Sequence, residues 1–408
     1  MHTINDYIPV VGEDIIEELK LLGQRLKGKV IENINSTAVG GGVAEILNRM
    51  VPLFSELGVN ATWEVIKGGN DFFGVTKKFH NALHGREEVL TENDFEIFRE
   101  HTRKILDETP LYGDVIFVHD PQPAGLIARK IEIGRKWVWR CHIDVSHPQH
   151  NVWGFLKSMV EKYDSTVFSA PQFSQKLDIP QIQIPPSIDP LSDKNRALPD
   201  DYINSVMERF HIPRDKPLIT QVSRFDYLKD PAGVIDAYKM VKRYIDCQLL
   251  LVGGSASDDP EGAKVLAEVQ EKASGDPDIH ILELPPTSNL EINAIQRAST
   301  IVLQKSIKEG FGLTIAEALW KAKPVIASAV GGIPLQITHK YSGILTHTIE
   351  GTAYWIKQLI QSPDFAQRLG VNGREHVKQN FLLTRHLRDY MLLFLSLDYP
   401  GQDIVHLS

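Results

Sequence analysis

The 408-residue chain predicts an α/β protein of two doubly wound, Rossmann-like parallel-sheet domains facing a central cleft. Three observations carry this expectation. Short apolar runs alternate with helix-period segments, the pattern of parallel sheets covered on both faces. The alternation pauses once, at the proline-crowded "IPQIQIPPSIDPLSDKN" (179–195), and then restarts. The length exceeds what one core ordinarily serves, so two domains are the simplest division. The expected boundaries are 1–184, 185–380 and a terminal helical stretch 381–408 that packs back on the first domain.

In order along the chain, "KGKVIENINST" (27–37) reads as a buried strand, glycines 40–42 break it, and "VAEILNRMVPLFSELGV" has helical spacing closed by Gly58. "ATWEVIKG", "DVIFVHDPQP" and "KWVWRCHIDVS" follow as strands, with "LTENDFEIFREHTRKILDE" as a helix between them. After the proline segment, read as the interdomain linker, "PLITQVSRF" is a strand and "PAGVIDAYKMVKRY" a helix with Pro231 in its first turn. "CQLLLVGG", "DIHILELP", "STIVLQKS" and "KPVIASAVGG" complete a second parallel sheet, and amphipathic helices run to about residue 397.

Composition excludes several classes. A formal net charge of −8 argues against a general phosphate-backbone binder, so no nucleic acid partner is expected. Cys141 and Cys247 are the two cysteines, too few for a disulfide framework. No basic start with an apolar run is present, and the apolar stretch "MLLFLSL" is far too short to span a bilayer. A cytoplasmic protein without a membrane segment is the expectation. The helices after residue 380 are where a homodimer surface would form.

"KEGFGLTIAE" (308–317) lies between two predicted strands and opens a helix. Gly310 and Phe311 lie in the loop after the first of these strands, and unpaired amides at the helix start, around Gly312, Leu313 and Thr314, suit a phosphate. Glu317, about one turn in, suits a ribose diol, and Glu309 precedes the turn. The same residues read equally well as a helix-start acid, a loop charge and turn glycines. Arg224 and Lys229, in "VSRFDYLKDP", follow a strand end, where two cations can neutralise a diphosphate or simply be solvated. In the first half, Gly41 and Gly42 form a loop that is neither a Walker loop nor G-x-G-x-x-G. His119, Asp120 and Gln122 follow one strand, and His142 follows another. No metal-ligand spacing occurs, and "DPD" (276–278) reads as a turn.

Together these residues resemble the family 4 retaining glycosyltransferases of GT-B fold. That family carries a Glu, seven residues, Glu motif before a helix, matched by Glu309 and Glu317, and an Arg/Lys pair after the first strand of its second domain, matched by Arg224 and Lys229. The wording of "VGGGVAE", "VHDPQPAG", "WRCHIDVS" and "IPPSIDPLSDKN" is similar to the glycosyltransferring trehalose synthases within it, related to the retaining trehalose phosphorylases.

The resemblance implies a nucleotide-sugar donor held in the second domain. Arg224 and Lys229 would take its diphosphate, Glu317 its ribose, Glu309 its sugar, and the amides near Gly312 to Thr314 its phosphate, with Gly310 and Phe311 also on the donor side. It implies His142 at the reacting centre, and Gly41, Gly42, Asp120 and Gln122 on the acceptor side in the first domain. The implied reaction forms α,α-trehalose from UDP-glucose or ADP-glucose and glucose, with no cofactor and no essential magnesium. A phosphorylase using glucose 1-phosphate and a silent sugar-nucleotide sensor are the alternatives.

Overall fold

The computed structural model describes residues 2–38, 42–254, 260–399 and 401. Gly41, an expected acceptor-side residue, lies outside the described residues. The chain divides into two compact units, residues up to Pro186 with those from Leu383 onward, and Ser187–Leu382.

In the first unit, β1 (Val30–Asn35), β2 (Asn60–Val65), β3 (Val115–His119), β4 (Lys136–Cys141), β5 (Ser165–Phe168) and β6 (Gln181–Gln183) form one parallel sheet in the order β2-β1-β3-β4-β5-β6. Strand order reverses between β1 and β3, so this pair is the switch point, where the strands' carboxyl ends leave a crevice between diverging connections. Ile34 pairs with Val118, which sets Asn35 and His119 side by side at that end. Glu32 of β1 is buried, and its Oε2 accepts the amides of Tyr112 (3.0 Å) and Gly113 (2.9 Å), fixing the approach to β3. Burial holds its carboxyl above the usual range, with the two amides partly opposing that.

The helix Leu383–Ser396 packs on the helices Glu13–Arg25 and Gly42–Glu56. Its Phe394 meets Phe54 and Phe117 at ring separations of 6.2 and 5.5 Å. Arg385 donates to the carbonyls of Pro185 (2.8 Å) and Pro186 (3.0 Å), satisfying two backbone acceptors just past β6. The proline segment is not wholly linker: β6 lies inside it, pairing Thr166 with Gln181 and Phe168 with Gln183. It is an edge strand of three residues, the position in a sheet that tolerates flanking prolines.

In the second unit, β7 (Leu218–Val222), β8 (Gln248–Gly253), β9 (Ile279–Glu283), β10 (Ile301–Gln304), β11 (Val325–Ser328) and β12 (Ile344–Thr346) run parallel in the order β12-β11-β10-β7-β8-β9. Both faces are covered. Leu249 and Leu251 pack with Ile235 and Tyr238, while their neighbours Leu250 and Val252 pack with Val206 and Ile295. Continuous apolar strands are what two-sided burial requires. The helix Pro231–Lys242 starts on Asp230, whose Oδ1 accepts the Gly233 amide at 3.0 Å, with Pro231 in the first turn where no amide is needed. Here the switch point lies between β7 and β10. Among the described residues, no helix is long and apolar enough to cross a membrane.

Candidate active site

At the second unit's switch point the strand ends bring together residues far apart in sequence. Beyond β7 the chain turns through Tyr227–Lys229, held by the Gln221 side-chain amide on the Lys229 carbonyl at 2.9 Å. Beyond β10 it passes Lys305 and Ser306 to Glu309. Lys229 Nζ lies 2.5 Å from Glu309 Oε2, which also accepts from Ser306 Oγ (3.1 Å) and Gln304 Nε2 (3.4 Å). Glu309 is 9% exposed, so this carboxylate is buried, paired and hydrogen-bonded, the condition under which a buried charge is tolerated. Alongside it Lys305 Nζ pairs with Asp230 Oδ2.

The loop that follows needs its glycines. Gly312 has φ +84°, a conformation open to glycine at little cost, and caps the helix Leu313–Trp320. Gly332 lets another segment pass close by, since a Cβ there would stand 2.3 Å from the Gly310 carbonyl oxygen. The amides of Leu313 and Thr314 donate to no described backbone acceptor, as expected at a helix start. Thr314 Oγ1 is tied to Gln304 Oε1 at 3.1 Å. Phe311 is buried, with its ring 5.4 Å from that of Phe381, so its side chain anchors the loop, and its backbone is what a ligand could meet.

Glu317, the fifth residue of the helix, is 3% exposed. Lys194 Nζ lies 4.0 Å from its carboxylate, and Lys321 Nζ caps its carbonyl at 3.0 Å while donating to Asn195 Oδ1 at 3.1 Å. Burial pulls the Lys321 ammonium down to about 7, with Glu317 opposing the shift. Arg224 stands apart. Its side chain is 55% exposed, and its one described ion pair is a loose 3.4 Å approach to Asp226. The structure thus joins Lys229 to Glu309 and leaves Arg224 as a solvated cation.

At the first unit's switch point His119 ends β3, and His142 follows β4. His119 Nδ1 lies 3.1 Å from His142 Nε2, and His119 Nε2 lies 3.2 Å from Asn33 Oδ1. Asp120 takes a left-handed backbone (φ +67°), which Asp tolerates better than most side chains. Its Oδ1 accepts the His142 amide at 2.8 Å, while its carbonyl accepts Trp139 Nε1–H at 2.9 Å. One carboxylate oxygen expected to meet sugar is therefore committed to aligning His142.

Arg140 is fully buried and donates to Ser169 Oγ at 3.2 Å, while its Nε and Nη1 have no partner among the described residues. Burial, then this guanidinium, pull His119 down to about 3 and His142 well below its usual range. Burial lifts Asp120 to about 6, against the pull of the His142 amide and Arg140. Gln122 Oε1 is buried without a described partner, an acceptor available to a hydroxyl. Gly42 begins the helix Gly42–Glu56.

Asn33, Arg140, Lys194, Gln304 and Ser306 escaped the sequence reading. A signal existed for Asn33 and Gln304: each is a polar residue within a strand of a sheet covered on both faces, where apolar residues are the rule. "DPD" is a turn in which Lys216 and Lys242 hold Asp278 Oδ1 at 3.1 Å and Oδ2 at 2.6 Å.

Comparison with known proteins identifies the family. The family model described as "Trehalose synthase, N-terminal domain" matches residues 33–175, and "Glycosyl transferases group 1" matches 204–376. A trehalose synthase of Thermococcus litoralis is 44% identical over 400 residues, 96% of this chain and 97% of that one. A trehalose phosphorylase of Pleurotus pulmonarius is 30% identical over 403 residues, 85% of this chain and 54% of that one. Among solved structures, the sucrose-phosphate synthase of Thermosynechococcus elongatus superposes with a TM-score of 0.71 at 18% identity, over 91% of this chain and 99% of that one. With 44% identity sustained over 96% of its length, and a fold shared with GT-B glycosyltransferases, the chain belongs to the trehalose synthase family and is a glycosyltransferase.

Proposed function

We propose that the protein forms α,α-trehalose by transferring glucose, with retention, from a nucleoside-diphosphate glucose (UDP-glucose or ADP-glucose) to free glucose. The observation that carries this reading is the Lys229–Glu309 pair set beside the unpaired helix-start amides at the β7/β10 switch point. A cation beside aligned amide dipoles suits a diphosphate.

In this reading the bond from the anomeric carbon to the leaving phosphate oxygen breaks, and the acceptor hydroxyl oxygen bonds the same carbon on the same face. The acceptor's proton passes to that phosphate oxygen. Lys229, joined by Arg224 once ligand draws it in, stabilises the charge growing on the diphosphate. These two cations supply the neutralisation otherwise given by magnesium, so no metal or cofactor is assigned. In this reading Glu317 is assigned to the ribose, Glu309 and His142 to the transferred glucose, and Gly41, Gly42, Asp120 and Gln122 to the acceptor. The partners are small molecules: nucleotide sugar, glucose and trehalose. Two unpaired cysteines fit a reducing compartment, so we place the reaction in the cytoplasm.

A second reading is phosphorolysis, favoured by the 30% identity to the Pleurotus phosphorylase. Glucose incubated with UDP-glucose, ADP-glucose or glucose 1-phosphate, in parallel and with chelator, separates the two. Trehalose from a nucleotide sugar is the expected result; trehalose from glucose 1-phosphate alone would move the chain to the phosphorylases.

A further inference from the structure

Polar contacts at the end of the first sheet form a chain whose hydrogen-bond polarity is determined from its inner end. Asn33 is buried on β1, and its Nδ2 donates to the Thr62 carbonyl at 3.1 Å. A carbonyl can only accept, so the amide orientation is set, and Oδ1 is the atom turned toward His119. Oδ1 also only accepts, so His119 Nε2, at 3.2 Å, carries a hydrogen. In a neutral imidazole the other nitrogen is then a lone pair, and His119 Nδ1 accepts from His142 Nε2 at 3.1 Å. His142 in turn keeps its hydrogen on Nε2. Its Nδ1 is left as a lone pair with no described protein partner, on a ring that is half-buried, whereas His119 is fully buried.

We propose that Asn33 and His119 are positioning residues that lock His142 as the neutral Nε2–H tautomer, presenting Nδ1 as a hydrogen-bond acceptor for a hexose hydroxyl. The sugar-facing part of this inference rests on the reading of His142 in the proposed function; the tautomer lock does not. Burial and the Arg140 guanidinium beside the pair support it, because both disfavour an imidazolium, which would turn Nδ1 into a donor. The consequence is chemical selectivity. An acceptor at this place takes a hydroxyl and discriminates against a phosphoryl or carboxylate oxygen, which brings no hydrogen to share. Asp120 completes the arrangement by holding the His142 backbone amide at 2.8 Å, so both the ring's tautomer and its position are supplied by the strand ends.

The test is long-range proton–nitrogen NMR of the histidine rings in full-length, 15N-labelled protein without substrate. With 15 histidines present, His142 is assigned by the signal lost in His142→Asn. At pH 7 the expected pattern is a lone-pair Nδ1 and a protonated Nε2. His119→Gln supplies an amide with one donor and one acceptor and should preserve that pattern. His119→Leu should release it into a tautomer mixture and lower kcat/KM about tenfold, the worth of one hydrogen bond, with His119→Gln retaining most of the activity. An Nδ1–H tautomer or an imidazolium in the unaltered protein overturns the proposal, as does a His142 tautomer indifferent to His119→Leu in a folded variant. The expected tautomer in a protein that transfers no glucose leaves the lock standing and defeats the proposed function instead.

Discussion

Replacing Lys229 with Met removes one half of a buried ion pair and leaves the other half in place. The two side chains are 18% and 10% exposed, and nitrogen and oxygen are 2.5 Å apart. Breaking such a pair on one side costs about 3–5 kcal/mol, because a charge is left uncompensated. Glu309 keeps Ser306 Oγ at 3.1 Å and Gln304 Nε2 at 3.4 Å, which places the expected loss at the low end, about 3 kcal/mol. For a domain of this size that is a fall in melting temperature of roughly 6–12 °C. Scanning calorimetry without nucleotide measures it. Glu309→Gln and the double variant close the cycle, and removing both charges should cost less than the sum of the single losses by at least about 1 kcal/mol. Nucleotide should raise the melting temperature of the unaltered protein more than that of Lys229→Met. A Lys229→Met shift below about 2 °C, or strictly additive losses, would refute the claim that this pair is a buried, coupled unit.

Arg224→Ala should behave differently, because its side chain is more than half exposed: melting within about 1 kcal/mol of the unaltered protein, but turnover at saturating donor down about a hundredfold. Unchanged turnover would remove Arg224 from the diphosphate site. Gly332→Ala should raise the donor KM and cost about 1–3 kcal/mol of stability, since its Cβ would meet the Gly310 oxygen at 2.3 Å and backbone cannot step aside. An unaltered KM would show that the glycine loop does not hold donor.

The His119 cluster predicts the direction of a pH response. Its native value of about 3 lies below the ordinary 6.5, so the unfolded chain binds the extra proton, and stability present above 6.5 is lost as pH falls toward 3. Asp120 acts oppositely: its native value of about 6 exceeds the ordinary 3.8, so its contribution is present below 3.8 and lost as pH rises to 6. His142 and His386 are depressed by burial as His119 is, so the histidines prevail, and melting should fall between pH 7 and pH 5. His119→Gln should flatten that slope. A slope the same in both proteins counts against a buried neutral His119.

The legibility of the sequence was uneven for physical reasons. The second sheet was readable in five of its strands because two-sided burial makes runs such as "QLLLVG" continuously apolar. β12 (Ile344–Thr346) is three residues at the sheet edge, too short to carry a period. β6 was hidden by prolines that an edge position tolerates. The helix Asn70–Leu83 received no assignment, and its Gly74 and paired Phe72–Phe73 blur a single apolar face.

In the site, Glu309 is singled out by its spacing to Glu317 and Lys229 by its place after a strand end, yet the ion pair joining them crosses 80 residues and exists only in the folded register. Asn33 and Arg140 are polar residues inside buried strands, β1 and β4. Their meaning depends on which strands lie adjacent, and that information is in the sheet order rather than in any local window.

The central claim is retaining transfer from a nucleotide-activated glucose to glucose, and the product's anomeric protons test it most directly. Purified protein, an α-configured nucleoside-diphosphate glucose and free glucose, mixed with chelator, should yield a symmetric disaccharide with one anomeric proton signal and the small coupling of an α linkage. A large coupling, from a β linkage at the transferred glucose, would contradict the account, as would the absence of any disaccharide from every nucleotide sugar supplied.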